Sequence, residues 1–262
     1  MNDHPALFRL DGKTALVTGA SGYLGRAIAT GLAEAGANVV VTSRKLATAE
    51  SLARELPTTA NQRHHGAQLD HLDPDSLEQG FEAALSAAGQ VDVLINNGHE
   101  ATSHDWTNIT AEAFNRQLQN ATGYFLLSRM FRDHVVQRQV SGSVILLGSM
   151  YGVVGSYPEA YRDIGPASPV AYHTLKGGIV HMTRHLAVYW AEDGVRVNCL
   201  SPGPFPGPNA SPEMVERLKA RSPLKRMGRP EELKGPAVFL ASDASSYMTG
   251  QNLIIDGGWT AW

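Results

Sequence analysis

Lys13-Thr14-Ala15-Leu16-Val17-Thr18-Gly19-Ala20-Ser21-Gly22-Tyr23-Leu24-Gly25 is the stretch on which the fold turns. Its start is a short, mostly apolar run of strand character, and Gly19, Gly22 and Gly25 follow at once. Ile28, Ala29, Leu32, Ala33 and Ala35 then share one helical face, and Gly36 marks the stop. Residues 39–41 are all valine, as in a strand buried on both faces. Strand, glycine turn, helix and strand make one βαβ unit. In a parallel sheet ligands bind beyond the carboxyl ends of the strands. Glycines there let backbone amides approach a pyrophosphate, and the helix N-terminus favours its charge. The stretch predicts a dinucleotide site formed by Gly19, Ser21, Tyr23, Leu24 and Gly25.

The alternation continues outward. Helical patterns are read near 46–56, from Ser76 with Gln79 as a capping box, and over 110–138 and 172–192. Two shorter ones cover 212–221 and 230–242. Strands are expected ending at Asp70 and over 91–95, 144–147, 195–200 and 252–255. Seven strands alternating with helices, without a linker or composition shift, predict one α/β domain over 1–262. Its core is a Rossmann-type doubly wound sheet of seven parallel strands.

Composition bounds the function. A hydrophobic share of 43% and a charged share of 18% describe an ordinary globular chain with ample core material. A net charge of −3 without a basic run excludes an electrostatic nucleic-acid surface. Cys199 is the only cysteine, so no intrachain disulfide forms and a reducing compartment is expected. The start, Met1-Asn2-Asp3-His4-Pro5, lacks the pattern of a secretory signal, and no apolar run spans a membrane. A cytoplasmic protein without membrane or metal partners is expected.

Two further stretches carry chemistry. The end of the second strand usually reads the ribose, and an acidic residue there repels a 2′-phosphate. Here Thr42-Ser43-Arg44-Lys45 offers a hydroxyl and two cations, which suits NADP(H) over NAD(H). Tyr172-His173-Thr174-Leu175-Lys176 places a phenol and an ammonium one helical turn apart. A nearby cation favours the phenolate, and a phenol brought towards neutrality can move a proton. Alone, such a pair is an ordinary solvated helix feature; its neighbours give it meaning.

Those neighbours run in order along nearly the whole chain. After the glycine turn come Asp70, Asn96-Asn97, Asn120 in Leu118-Gln119-Asn120-Ala121-Thr122-Gly123, and Ser149 in Gly148-Ser149-Met150-Tyr151-Gly152. Tyr172 and Lys176, Asn198-Cys199-Leu200-Ser201-Pro202-Gly203, and Asp256-Gly257-Gly258 complete the series. Together they resemble the short-chain dehydrogenase/reductase family. The resemblance implies Tyr172 as general acid or base, Lys176 lowering its pKa and holding ribose hydroxyls, and Ser149 on the substrate oxygen. It implies that Asn120 distorts its helix and positions a relay water, and that Asp70 contacts adenine. Asn97 joins the cofactor set, while Pro202, Gly203 and Phe205 surround the carboxamide. It also implies a homotetramer or homodimer. The Trp259-Thr260-Ala261-Trp262 tail is suited to burial at a subunit contact or within its own chain.

Three departures stand out. Tyr23 occupies the family's middle glycine position and is expected to line the turn without blocking pyrophosphate. Gly98-His99 replaces the usual Ala-Gly; His99 reads first as an exposed loop residue, with a cofactor or substrate contact as the alternative. Ser149 and Tyr172 stand 23 residues apart, much farther than in the family. The extra segment, 153–169, is expected to wall a substrate pocket, with Tyr151, Tyr161 and Arg162 as contacts. Residues 204–222 form the opposing lid.

The expected activity interconverts a secondary alcohol and a ketone. The polar insert, with His99, Glu100, His104 and Trp106, inclines the substrate towards a small polyol or sugar acid. A 3-oxoacyl reductase and an NADP-binding regulator without catalysis remain the alternatives.

Overall fold

The computed structural model describes residues 4–59, 61–102, 104–164 and 168–261. Its strands are β1 (Thr14–Val17), β2 (Asn38–Ser43), β3 (His65–Gln68), β4 (Val93–Asn96), β5 (Gly142–Leu147), β6 (Val195–Pro202) and β7 (Asn252–Ile255). They pair in parallel in the order β3-β2-β1-β4-β5-β6-β7. The helices are α1 (His4–Leu7), α2 (Tyr23–Glu34), α3 (Leu46–Glu55), α4 (Pro74–Ala88), α5 (Ala111–Arg138), α6 (Pro158–Tyr161), α7 (Val170–Trp190), α8 (Pro212–Arg221) and α9 (Lys234–Ala241).

Successive strand residues point to opposite faces. On one face Leu16, Leu94, Val144 and Leu146 pack with Phe81, Tyr124, Phe131 and Ile179. On the other, Ala15, Val17, Ile95, Ile145 and Leu147 pack with Ile28, Leu32 and Leu240. Both faces are therefore covered, which explains the continuous apolar runs. A third, smaller cluster of Met150, Ala160, Leu218, Met227 and Trp259 lies at the carboxyl end of the sheet. It joins the insert, the lid helix and the C-terminal segment. Trp259 thus packs within its own chain, 5.3 Å from the Tyr157 ring; Trp262 lies outside the described residues.

Strand order reverses between β1 and β4, and their carboxyl ends diverge there into a crevice. The site is built on that opening.

Local differences from the sequence expectation have plain causes. α4 is capped by Asp73, whose side chain accepts from the Asp75 amide, with Pro74 at its first position. The Ser76 hydroxyl instead accepts from the Asp70 amide, so no capping box forms at Ser76. α5 runs unbroken through Asn120, so the expected distortion of the helix does not interrupt it; the side-chain amide bonds the Glu100 backbone and the Gln117 carbonyl. The pattern over 230–242 divides into a 3-10 turn, Pro230–Leu233, and α9.

Candidate active site

A cavity of about 560 Å3 opens at the strand reversal. Gly19 holds φ +62°, and a Cβ there would meet the Gly98 backbone. A Cβ on Gly25 would run into the Gly19 carbonyl oxygen and the Asn97 amide. Asn97 Nδ2 donates to the carbonyls of Thr18 and Gly19, both at 3.0 Å, locking the turn against β4. Gly22, the N-cap of α2, supplies no side-chain cap, so the first-turn amides keep their donors for a ligand. This glycine cradle with open amides fits a dinucleotide pyrophosphate. Ser21, Tyr23 and Leu24 line the same cavity, and Tyr23 is 45% exposed and leaves it open.

Ser43, Arg44, Asp70 and Asn97 line the cavity as well. So does Glu100, whose carboxylate accepts from Arg116 Nε at 2.7 Å and Nη2 at 3.1 Å. That pairing holds the Glu100 carboxyl below its usual range. Arg44 Nη1 stands 4.0 Å from Glu100 and is largely exposed, leaving donors for another anion.

Along the sheet, Tyr172 and Lys176 sit one turn apart on α7, and Ser149 follows β5. The Ser149 hydroxyl accepts from the Tyr151 amide at 3.1 Å, which fixes its position. Lys176 Nζ donates to the Leu147 carbonyl at 2.7 Å and lies 5.6 Å from the centre of the Tyr172 ring. Burial pushes the Lys176 ammonium down to about 8. Burial pushes the Tyr172 phenol up, and hydrogen bonding with Ser149 opposes this. The net shift is upward, the reverse of the expected lowering, because burial is its largest cause.

Asn120 is buried, and its amide is fully engaged. Oδ1 accepts from the Glu100 amide at 2.8 Å and from His71 Nε2 at 2.7 Å. Nδ2 donates to the carbonyls of Gln117 and Glu100. His99 lies against Tyr172, ring centres 5.4 Å apart at 77°, with its Nε2 2.8 Å from Gln117 Nε2. Burial, reinforced by Lys176, pushes the His99 imidazole down to about 3.

Beside this group a second cavity of about 410 Å3 is lined by Ser149, Tyr151, Tyr161, Tyr172 and the lid residues Gly203 to Gly207. Tyr151 and Tyr161 share a hydrogen bond at 3.0 Å, and Tyr151 stacks on His173 at 4.5 Å. Arg217 of α8 donates to the carbonyls of Glu159 and Arg162, clamping the lid helix to the insert.

Comparison with known proteins agrees with this geometry. A family model described as enoyl-(acyl carrier protein) reductase matches residues 19–260. The D-arabinitol 2-dehydrogenase (ribulose-forming) of Candida tropicalis is 32% identical over 97% of this chain and 95% of that one. The galactitol 2-dehydrogenase (L-tagatose-forming) of Cereibacter sphaeroides is 35% identical over 99% and 100%. The chain belongs to the short-chain dehydrogenase/reductase family. It is an NAD(P)-dependent alcohol dehydrogenase or oxidoreductase of that family. The crystal structure of a gluconate 5-dehydrogenase from Burkholderia cenocepacia with NADP and tartrate superimposes with a TM-score of 0.88. It is 28% identical, covering 98% of this chain and 99% of that one.

In this short-chain dehydrogenase most of the expected residues converge, and some do not. Arg162 is exposed outside the substrate cavity, because α6 ends there and its carbonyl faces Arg217. Pro202 is buried at the end of β6 and lines neither cavity, whereas Gly203 and Phe205 line the substrate side. His104 bonds Thr102, and Trp106 is 71% exposed. His99 is half-buried and lines both cavities, the reverse of an exposed loop histidine. His71, Gln117, Arg116 and Arg217 were not singled out from sequence; their partners lie far along the chain. Among the described residues, no helix is long and apolar enough to cross a membrane.

Proposed function

We propose that this dehydrogenase interconverts a secondary alcohol and a ketone on a small hydroxylated molecule of polyol type, with NADP(H) preferred. The observation that carries the reading is the wall of hydroxyls beside Tyr172. Ser149, Tyr151 and Tyr161 line one cavity with it, and α7 sets Lys176 one turn away. The galactitol and arabinitol dehydrogenases among its relatives, and a gluconate dehydrogenase structure with NADP, support the polyol and NADP readings.

The roles follow from the groups. Ser149 donates to the substrate oxygen and stabilises the charge developing there. Tyr172 takes the hydroxyl proton in oxidation and returns it in reduction. A bound nicotinamide supplies the hydride chemistry. Lys176 holds the ribose hydroxyls beside Tyr172. The α2 amides and the glycine turn hold pyrophosphate, Ser43 and Arg44 meet a 2′-phosphate, and Asp70 meets adenine. Asn120 orients the Glu100 loop. Exposed Val188 and Tyr189 on α7 suit a tetramer contact, testable by light scattering.

A second reading, a 3-oxoacyl reductase, draws on the apolar lid side, where Phe205, Met214 and Leu218 line the same cavity. A panel of polyols, ketoses and acetoacetyl thioesters, run with each cofactor, tests both. Turnover of polyols with NADP is the expected result. Turnover confined to thioesters would select the second reading.

A further inference from the structure

We propose that His99 is a substrate contact that sets specificity: its imidazole hydrogen-bonds the hydroxyl next to the reacting carbon. The site thereby selects an uncharged vicinal diol over a simple alcohol or a hydroxy acid. The inference rests on the alcohol–ketone reading above and deepens it.

Position comes first. His99 belongs to the lining of both cavities and stands edge-on to Tyr172, with ring centres 5.4 Å apart. An oxygen bound at the Tyr172 hydroxyl therefore leaves its vicinal neighbour close to the imidazole. The ring is also held. Gln117 is buried on α5, and its Nε2, a donor, faces His99 Nε2 at 2.8 Å. Nε2 therefore accepts, and the hydrogen of the neutral ring sits on Nδ1 as the remaining donor. A donor fixed before binding costs little ordering when substrate arrives.

Charge comes second. All the lining side chains of the substrate cavity are uncharged among the described residues. The polar ones are the hydroxyls of Thr102, Ser149, Tyr151, Tyr161, Ser168 and Tyr172, together with His99. His99 itself stays neutral at working pH, held far below its usual range by burial. The nearby cations stand outside that lining: Lys176 Nζ donates to the Leu147 carbonyl and Arg217 to two insert carbonyls. Ser103, Gly165, Pro166 and Ala167, outside the described residues, carry no ionisable side chain. A carboxylate entering this cavity would lose water without meeting a cation in its lining, which is costly. A hydroxyl exchanges water for a fixed neutral partner. Sites that hydrogen-bond a substrate hydroxyl discriminate strongly against analogues lacking it.

The test uses three matched probes, butan-2-ol, butane-2,3-diol and 2,3-dihydroxybutanoate, with wild type, His99→Phe and His99→Gln. Wild type should oxidise the diol with the highest kcat/KM of the three. His99→Phe should lower kcat/KM for the diol about tenfold more than for butan-2-ol, the scale of one lost hydrogen bond. His99→Gln, which keeps a donor, should recover most of the loss. NADPH affinity, read by fluorescence on both variants, separates the two sides: a diol loss that merely follows a loss of NADPH affinity would overturn the role of His99. Equal losses for diol and mono-alcohol, no loss for either, or a preference for the acid would overturn the role of His99. Wild type that reduces acetoacetyl thioesters but oxidises none of the three would overturn the underlying polyol reading, and the inference with it.

Discussion

The two cavities share His99 and little else. The dinucleotide side is made of backbone: three glycines within seven residues, open helix amides, and one asparagine bolting the turn to β4. The substrate side is made of side chains from segments far apart in sequence, gathered by the insert, the lid and α8. The first has one workable geometry, since a single added Cβ collides with backbone. The second can be refitted residue by residue, so one scaffold can change substrate while keeping its cofactor.

Substitutions should separate the two sides. The largest effect is expected where they work together: Tyr172→Phe should cost roughly 10^3-fold in turnover, within the range for general acid–base catalysis. NADPH titration should show binding retained. Gly25→Ala should act on the other side alone, by overpacking of about 1–3 kcal/mol. Its melting temperature should fall and its NADPH affinity drop, even where residual turnover keeps the wild-type substrate ranking. Arg44→Ala should weaken NADPH about tenfold, as for one lost charge-assisted hydrogen bond, and leave NADH within about twofold. Equal losses would show that Arg44 does not read the phosphate. Tyr161→Phe should be mildest, raising KM about threefold with unchanged cofactor affinity.

The pH dependence sharpens the same contrast. Oxidation needs the Tyr172 phenolate, and burial holds that phenol above its ordinary value. The oxidative rate should therefore rise from neutral into alkaline pH, while carbonyl reduction, which needs the phenol protonated, should hold level until the pH passes the ordinary tyrosine value. A flat oxidative profile would count against Tyr172 as the base.

Legibility in the sequence follows the same division. The glycine turn, the alternation of strands with helices and the Tyr172–Lys176 pair are readable because each depends on neighbours within a turn or a strand. His99 was misread because its burial comes from Gln117, a helix away, and from Tyr172, 73 positions later. Arg162 was misread because α6 ends one residue earlier and directs that side chain to solvent. The direction of the Tyr172 shift was misread for a related reason. Helical spacing places Lys176 near Tyr172 but does not reveal how deeply the phenol is buried, and burial pushes it up. Asn120 was found by its motif, whereas its bond to His71 joins residues 49 positions apart.

The central claim is that this site carries out redox chemistry on an uncharged hydroxylated substrate. The most direct measurement follows reduced nicotinamide when wild-type protein, NADP and a panel of neutral polyols are mixed, with NADPH binding titrated on the same preparation. The account predicts steady formation of NADPH matched one to one by ketone. Tight NADPH binding without turnover of any polyol would contradict it.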